Sequence, residues 1–425
     1  MLNLILSKNE HMSLEILSYP FLFIALFFES FVLVTFLSAP ARRRRAGASA
    51  EGDALPTVAV IVPCYNEEAT VRRTAESVLA LEYPTDKLSL VLVDDGSTDG
   101  TRTAMERFRA HPQVTIIHKE RGGKHTALNV GIATTEAEIV GCLDADSFVE
   151  PDTIGHIIPC FDREQVAAVT AAMSVHLPSN ILQYMQNGEY LFGIAWRHTL
   201  ASVNGLYVTP GPFSFYRRNI VKALGGFRHG HQVEDMEMAL RLQRHGYAIE
   251  NAPRARVYTE APSTISRLFK QRTRWTSGFL RNVLFDYRDF LLDPARGALG
   301  TLVLPLALIS IESGILLFAV ALVTTGADIV HAVTIRSGMP FSYAYLPSLS
   351  TFDWFYFPAT FFTLLAAIVV AAGISLIIIG QRISHTPSRL AHSLCSYLLL
   401  YGLMAPLWLT RATADVALGK TRSWQ

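Results

Sequence analysis

Long apolar stretches flank a middle region in which short apolar runs alternate with polar ones. The apolar stretches run from Leu14 to Leu37 and, approximately, over residues 298–323, 354–380 and 390–410. Each is long enough to cross a hydrocarbon core, which needs about 20 predominantly apolar residues. The pattern predicts an N-terminal transmembrane anchor within residues 1–40 and three transmembrane helices within residues 294–413.

Basic residues near these stretches predict the orientation in the membrane. Arg42–Arg45 follow the first stretch directly, and Gln381–Arg389, between the last two, carries two arginines. Because basic loop residues concentrate on the cytoplasmic side, both segments are expected in the cytoplasm and both chain ends outside. Lys420 and Arg422, in the tail at residues 414–425, argue against the placement of the C-terminus.

A cleaved signal peptide is the alternative for the first stretch, since Ala39-Pro40-Ala41 is similar to a cleavage site. The stretch is longer than a signal peptide requires, and the arginines after it would hold the cleavage site on the cytoplasmic side. We therefore expect a retained anchor, followed by a small polar linker at residues 41–55.

The middle region, residues 56–260, has the pattern of an α/β domain. Short β-branched runs such as VAVIVP and LSLVLVDDG alternate with stretches of helical periodicity. This order predicts parallel strands with crossover helices, so functional loops should cluster at the carboxyl ends of the strands. Residues 261–293 mix basic and aromatic residues at helical spacing, which favours amphipathic helices at the membrane interface over an ordinary surface helix.

Composition agrees with a chain that is part soluble and part membrane-embedded. Of the 425 residues, 50% are hydrophobic and 17% charged, with a mean hydropathy of +0.27. The 37 basic and 36 acidic residues nearly cancel, which argues against a nucleic-acid partner. The four cysteines form no CxxC pair, so neither a disulfide framework nor a zinc site is indicated.

Candidate chemistry begins where the first two predicted strands end. Tyr65 and Glu67 follow the first strand, and Asp95 follows the second. Such residues often serve only as turns and helix caps. Side by side, however, a carboxylate and an aromatic ring also suit a nucleotide base. Lys124 follows a glycine pair and opens a helix, which is either a turn or a contact to a nucleotide phosphate.

The most specific motif is Asp144-Ala145-Asp146 at the end of another predicted apolar strand. Two carboxylates this close repel each other and need a cation between them. Hard divalent cations such as Mg²⁺ and Mn²⁺ prefer oxygen ligands and commonly share them with substrate phosphates. The motif therefore predicts a metal site.

Two further motifs precede or lie on predicted helices. Glu234-Asp235 begins an amphipathic stretch, where Asp235 is either a helix-capping acid or a general base for an acceptor hydroxyl. Gln271, Arg274 and Trp275 can share one helix face. An arginine there can neutralise a leaving diphosphate, and a tryptophan can stack on a sugar ring.

The order of motifs resembles the processive family-two glycosyltransferases, which include bacterial cellulose, hyaluronan, chitin-oligosaccharide and poly-N-acetylglucosamine synthases. The motifs are PCYNE, DDGSTD, GGK with LN after three residues, DADS, TPGPFSFYRR, ED and QRTRW. The likeness covers residues 56 to about 290, and HKE-x-GGK and FKQRTRW favour the poly-N-acetylglucosamine type. It implies an α/β GT-A fold, which is a Rossmann-like nucleotide-sugar transferase domain, beside an α-helical transmembrane region.

The resemblance also implies residue roles. The residues that would bind the donor are Tyr65, Glu67, Asp95, Lys124, Asp144 and Arg274. The residues that would bind the acceptor are Gly211, Phe213, Gln271 and Trp275. Asp146 and Asp144 would bind the metal, and Asp235, with Glu234, would carry out catalysis. The family's usual T-E-D is V-E-D here, with Val233, which removes a hydroxyl beside the base.

The function implied is that of a multi-pass inner- or plasma-membrane glycosyltransferase with a cytoplasmic catalytic domain. It would extend a β-linked polysaccharide, with inversion, from a UDP-sugar, best UDP-N-acetylglucosamine. Mg²⁺ or Mn²⁺ would be its cofactor, and membrane lipids, the growing glycan and a small membrane helper subunit its partners. One alternative is a single transfer to a lipid acceptor, as in the similar ceramide glucosyltransferases. Another is a catalytically dead UDP-sugar sensor, which the intact motif acids disfavour.

Overall fold

The computed structural model of the protein describes residues 8–38, 55–336 and 360–420. The expected linker at 41–55, apart from Leu55, lies outside these ranges, as do Arg42–Arg45 and Arg422. The same is true of the first residues of the span expected at 354–380.

Within the described ranges, one sheet contains eight strands. They are β1 (Val58–Cys64), β2 (Leu88–Asp94), β3 (Val114–His118), β4 (Ile139–Cys142), β5 (Ser147–Val149), β6 (Val166–Val175), β7 (Ser214–Arg217) and β8 (Ala248–Thr259). Their order across the sheet is β3-β2-β1-β4-β7-β6-β8-β5. β1 to β4 pair in parallel, whereas β7 runs antiparallel to both β4 and β6. The predicted parallel strands are confirmed for β1 to β4, but the sheet as a whole is mixed, because β5 and β7 pair in antiparallel fashion.

The helices surround this sheet and extend away from it. They are α1 (Lys8–Ser38), α2 (Val71–Leu79), α3 (Thr101–Glu106), α4 (Lys124–Thr134), α5 (Thr153–Ile157), α6 (Ile181–Ser202), α7 (Arg218–Ala223), α8 (Glu234–Arg244), α9 (Ile265–Arg281), α10 (Leu304–Arg336), α11 (Phe361–Ser384) and α12 (Leu390–Ala417). Short π-helical turns at Asn282–Asp286 and Leu299–Val303 connect α9 to α10.

The central strands position the candidate site. Residues Val58–Val62 of β1 are buried on both faces, as expected for a parallel strand covered by helices on each side. β1, β2 and β4 run in the same direction, so the segments that follow them emerge at one edge of the sheet. Tyr65, Asp95 and Asp144 are therefore brought to the same edge.

Among the residues that the structure describes, four helical segments are long and apolar enough to cross a membrane, judged by length and composition. They are Ser18–Ser38, Leu299–Ile335, Phe361–Ser384 and Leu390–Ala417. The first long apolar helix after the sheet extends beyond the apolar stretch that the sequence indicated at 298–323. Residues 324–336 lie beyond that apolar stretch and continue the helix to Arg336.

Helix α6, which the hydrophobic pattern did not single out, joins the sheet to the membrane helices. Its backbone comes so close to α11 that a β-carbon on Gly380 would lie 1.9 Å from the carbonyl oxygen of Leu191. The Asn187 amide Nδ2 donates a hydrogen bond of 3.0 Å to Ser393 Oγ on α12. α6 therefore fixes the sheet against two of the apolar helices.

Candidate active site

The loop after β1 is tied to the loop after β2 by short polar contacts. The backbone N–H of Asn66 donates to Ser97 Oγ at 3.1 Å, and the N–H of Thr98 donates to Asn66 Oδ1 at 2.8 Å. Asn66 has a φ of 56°, a left-handed conformation that asparagine tolerates better than most residues. These contacts hold Tyr65 and Glu67 beside the end of β2.

Asp95, an expected donor-binding residue, is held by the glycine loop. Its Oδ1 accepts from Lys119 Nζ at 2.5 Å and from the Gly122 N–H at 2.9 Å, and its Oδ2 accepts from the Gly123 N–H at 2.8 Å. A carboxylate has about four acceptor positions, so one remains for a ligand. Asp95 thus both shapes the GGK loop and keeps a free lone pair.

Tyr65 lies at the same edge, with its ring beside a basic side chain. The guanidinium carbon of Arg121 lies 4.3 Å from the centroid of the Tyr65 ring. Neither Arg121 nor Lys119 was singled out from the sequence, although both lie in the HKERGGK segment around the glycine pair. Their positions add positive charge to the pocket beside Tyr65.

Lys124 is the centre of a network of carboxylates. Its Nζ lies 2.5 Å from Asp144 Oδ1 and 3.1 Å from Glu234 Oε1. Burial alone would lower the pKa of Lys124, but the charges of Asp144, Glu234 and Asp235 outweigh it and raise this pKa above its usual range. Lys124 is therefore a permanent cation that joins the end of β4 to the start of α8.

Gly211 lies against this network, and its lack of a side chain is required there. A β-carbon at Gly211 would lie 2.6 Å from Lys124 Nζ and 3.0 Å from Asp144 Oδ2. The Gly211 backbone N–H donates to Asp235 Oδ2 at 3.1 Å. The structure therefore brings together Lys124, Asp144, Gly211 and the acidic pair of α8.

Glu234 and Asp235 are neighbours with opposite pKa shifts. Burial raises the pKa of Glu234, but Lys124 and Arg274 more than compensate and lower it below its usual value. Burial and the charge of Glu234 raise the pKa of Asp235 to about 6. Two neighbouring carboxyl groups with opposite pKa shifts are typical of acid–base sites. One carboxylate stays permanently ionised, and the other can exchange a proton near neutral pH.

Asp146 fits the charge requirement of a divalent-cation site. Burial and the carboxylates of Asp144 and Glu67 raise the pKa of Asp146 to about 7. A cation would relieve this repulsion. In the part of the chain that is described, no group of three or more His, Cys, Asp or Glu side chains is arranged to hold a metal ion. A metal at Asp144 and Asp146 would therefore need further oxygen ligands from substrate or water.

The QRTRW segment lies on α9, and its three predicted residues occupy one stretch of that helix. Arg274 Nη1 donates to the Gln232 carbonyl oxygen at 3.3 Å, and its charge reaches Glu234. Gln271 Oε1 accepts from Arg272 Nη1 at 3.3 Å. Trp275 is partly buried and packs against the core beneath the site. Arg274 thus connects α9 to the segment that leads into Asp235.

Phe213, which the resemblance placed in the acceptor path, has its side chain in the core. Its side chain is fully buried and stands edge-on to Phe215, with ring centroids 4.6 Å apart. Phe213 also has a φ of 60°, a conformation rarely adopted by an aromatic residue. It anchors the Gly211 loop in the core, so its side chain does not face an acceptor.

A buried ion pair beneath the α9 motif was also missed. Arg272 Nη2 lies 2.6 Å from Glu189 Oε2 on α6, and the Arg272 guanidinium carbon lies 4.2 Å from the centroid of the Trp275 ring. Arg272 lies inside the QRTRW motif, but its partner is 83 positions earlier, so the sequence gives no signal for the pair. The pair joins α6 to α9 and supports Trp275 from below.

The part of the chain that contains this site matches a known protein family. Residues 56–278 match the family described as "Glycosyltransferase like family 2". The chain belongs to this family. The predicted GT-A fold, with its Rossmann-like sheet, is confirmed. The match spans β1 to β8 and most of α9, and so includes every candidate residue named above.

Two curated relatives of this family-two chain are named for different activities. A poly-beta-1,6-N-acetyl-D-glucosamine synthase from Staphylococcus epidermidis is 32% identical over 233 residues, 54% of this chain and 56% of the relative. A beta-monoglucosyldiacylglycerol synthase from Nostoc sp. is 29% identical over 252 residues, 58% of this chain and 54% of the relative. The chain thus spans about half the length of the curated relatives that it matches.

A solved structure has a similar fold over nearly the whole chain. It is the mannosyltransferase PcManGT from Pyrobaculum calidifontis in complex with GDP-Man and Mn²⁺. The TM-score is 0.60 at 21% identity, covering 96% of this chain and 99% of that one. The likeness therefore extends beyond the catalytic domain to the apolar helices.

Proposed function

We propose that the protein is a membrane-embedded, inverting glycosyltransferase that extends a β-linked polysaccharide from a UDP-sugar, best UDP-N-acetylglucosamine. The observation that carries this proposal is the cluster of Asp235, Gly211, Lys124 and Asp144 at the carboxyl edge of the sheet. It combines one carboxylate that can accept a proton with a network of charges that can hold a nucleotide diphosphate.

Asp235 is the base of the proposed reaction. With a pKa of about 6, its carboxylate is ionised at neutral pH but remains a better proton acceptor than an exposed aspartate. It takes the proton of an acceptor hydroxyl while that oxygen bonds to the anomeric carbon. The bond from this carbon to the UDP oxygen breaks on the opposite face, which inverts the configuration.

The leaving diphosphate requires positive charge close to the base. Arg274 donates to the Gln232 carbonyl oxygen, three residues before Asp235, and its charge acts on Glu234, so it places a guanidinium beside the proposed base that can stabilise phosphate oxygens. Lys124 keeps its charge at all accessible pH values and holds Asp144 in place. A divalent cation bound at Asp146 and Asp144 would neutralise the developing charge on the diphosphate. The Mn²⁺ of the mannosyltransferase with the similar fold supports this assignment.

The apolar helices beside the catalytic domain support a role in exporting the glycan across the membrane. The four apolar helices flank the catalytic domain in the sequence, and α6 packs directly on two of them. We propose that the catalytic domain lies in the cytoplasm of a cell with this enzyme in its inner or plasma membrane. The glycan would grow from the edge near Trp275 toward the apolar helices, with a small helper subunit completing the path.

A second candidate is a single transfer to a membrane lipid. The beta-monoglucosyldiacylglycerol synthase from Nostoc sp. is 29% identical to this chain, against 32% for the poly-beta-1,6-N-acetyl-D-glucosamine synthase, which favours this candidate. Both functions use the same base and donor site, so they differ only in the acceptor.

Product size separates the two candidates. Purified full-length protein in nanodiscs is given Mn²⁺ or Mg²⁺ and a panel of radiolabelled UDP-sugars, with and without added diacylglycerol. A high-mass, glycosidase-sensitive product from a single UDP-sugar supports polysaccharide extension. One labelled lipid species supports the second candidate, and no transfer from any donor contradicts both for the isolated chain.

A further inference from the structure

A cavity of about 700 Å³ lies where the catalytic domain meets the loop between α11 and α12. None of the candidate catalytic, donor-binding or acceptor-binding residues lines it. Its walls come from α2, β5, β8, the start of α6 and the loop at residues 387–389. It is therefore a separate space, bounded on one side by the catalytic domain and on the other by the membrane helices.

Two arginines from distant parts of the chain line this cavity. Arg73 comes from α2, and Arg389 comes from the loop that precedes α12. Within the described ranges, no carboxylate forms a salt bridge with either guanidinium, and Glu150 is the acidic residue in the cavity wall. The cavity is therefore positively charged and has room for an anion between the two arginines.

His176 contacts Arg73 but carries no negative charge that could balance the two arginines. Arg73 Nη2 lies 2.7 Å from His176 Nε2, and because a guanidinium can only donate, Nε2 must be the acceptor. The imidazole is then neutral, with its proton on Nδ1. Burial and the charge of Arg73 lower the pKa of His176, in agreement with the neutral form.

The cavity lies at the membrane boundary and has an apolar rim. The loop at 385–389 joins two helices that are long and apolar enough to span the membrane. At the rim, Leu177 is 78% exposed and the nearby Ile181 is 54% exposed. Leu177 has a φ of 37°, an unfavourable backbone conformation for a leucine, which holds this apolar side chain outward.

We propose that this cavity binds the phosphate headgroup of an anionic membrane phospholipid between Arg73 and Arg389. Guanidinium groups match phosphate oxygens in geometry and charge, and basic pockets beside membrane helices bind lipid headgroups. Ser388 in the wall supplies a hydroxyl donor, because its Oγ accepts from Gln381 Nε2 and its hydrogen stays available. Leu177 and Ile181 contact the glycerol and the upper acyl chain of the same lipid.

The lipid would be coupled to the transfer site through two paired strands. Phe148 of β5 lines the cavity and pairs with Tyr258 of β8, which lines it as well. The next pair along the ladder contains Thr259, whose Oγ1 lies 3.5 Å from Asp146 Oδ1. A headgroup in the cavity therefore lies one residue pair away from the proposed metal-binding carboxylate.

The test measures lipid binding directly, so it does not depend on the proposed activity. Full-length protein is purified with a mixture of phosphatidylglycerol and phosphatidylcholine, and retained lipid is measured by native mass spectrometry. We expect wild type to retain phosphatidylglycerol preferentially. In the double variant Arg73→Gln/Arg389→Gln this preference should fall by about fivefold for each arginine removed.

A matched variant controls for the loss of two positive charges. Arg72 neighbours Arg73 but is exposed and paired with Glu76, and Arg382 lies on the last turn of α11 outside the cavity. Arg72→Gln/Arg382→Gln should retain phosphatidylglycerol like wild type. Equal losses in the two double variants, or no preference in wild type, would overturn the proposal. Thermal unfolding of each variant verifies that it is folded.

Soluble phosphate distinguishes the source of the anion. Millimolar inorganic phosphate should leave the bound phosphatidylglycerol in place, because the lipid also makes apolar contacts at the rim. Complete displacement would overturn the assignment to a lipid. Sugar transfer in phosphatidylglycerol nanodiscs should exceed transfer in phosphatidylcholine nanodiscs for wild type, and this difference should disappear in Arg73→Gln/Arg389→Gln.

Discussion

Gly211 approaches Lys124 so closely that a β-carbon on the glycine would lie 2.6 Å from the lysine Nζ. The same glycine donates its backbone N–H to Asp235. One residue without a side chain therefore allows the cation of the site and the proposed base to come together. This close approach is a tertiary requirement, and it explains why a glycine begins the GPFSF segment.

Substituting this glycine tests the packing of the cluster. Gly211→Ala should displace Lys124 or the loop by a few tenths of an ångström to an ångström, and misplacement on this scale costs about 10²-fold in rate. Sugar transfer per enzyme is the measurement. Gly155→Ala, where an added β-carbon would meet nothing within 4 Å, is the matched control and should retain full activity. Equal activities in the two variants would contradict the account of the cluster.

Replacing the proposed base should separate catalysis from donor binding. Asp235→Asn removes the proton acceptor but keeps the size of the side chain, so the transfer rate should fall by about 10²–10⁴-fold. UDP binding, measured by calorimetry, should change little. Asp162→Asn, at an exposed carboxylate, is the control. Wild-type transfer rates in Asp235→Asn would remove Asp235 from the mechanism.

The pKa of Asp235 predicts the acid limb of the pH profile. Because burial and Glu234 raise this pKa to about 6, the base is ionised above that pH and becomes protonated below it. We therefore expect kcat/KM to be level near pH 7 and to fall about tenfold per pH unit well below pH 6. Initial rates over a pH series measure the profile. An increase in kcat/KM from pH 7 to pH 5 would contradict the assignment.

Metal removal tests the role of the Asp144 and Asp146 carboxylates. Chelation with EDTA should abolish transfer, and excess Mn²⁺ or Mg²⁺ should restore it. Asp146→Asn should shift the metal concentration for half-maximal activity upward, because one charged oxygen ligand is lost. Undiminished turnover after chelation would show that the two carboxylates act without a metal.

The buried pair of Glu189 and Arg272 is expected to affect stability. Glu189→Gln leaves the buried Arg272 without a counter-charge, which typically costs about 3–5 kcal/mol. Thermal unfolding in detergent should show a large decrease in Tm. Glu76→Gln, which breaks the exposed i,i+4 pair with Arg72, should change Tm by a small fraction of that amount. Similar shifts in the two variants would mean that Glu189–Arg272 contributes no more than a surface pair.

Candidate functional residues near strand ends could be predicted from the sequence. The apolar runs predict where the parallel strands end, and functional groups of such sheets lie at those ends. Asp95, Asp144 and Lys124 could therefore be placed at one edge before their distances were known. Glu234 and Asp235 could be singled out only through the order of motifs, because an acidic pair at the start of a helix is by itself also typical of a helix cap.

Other features depend on contacts between distant segments. α6 has no unusual pattern, yet it connects the sheet to α11 and α12 through Gly380 and Asn187. Phe213 was expected at the acceptor because its motif suggests it, but the position of its side chain is decided by Phe215 and the core. The apolar stretch read from the sequence ends at 323, whereas the helix continues to Arg336.

The anomeric configuration of the product tests the central claim most directly. Wild-type protein in nanodiscs is supplied with UDP-N-acetylglucosamine, in which the sugar is α-linked, and the isolated product is analysed by NMR. Direct displacement with Asp235 as the base predicts a β-linked product. An α-linked product would require retention of configuration and would contradict the mechanism.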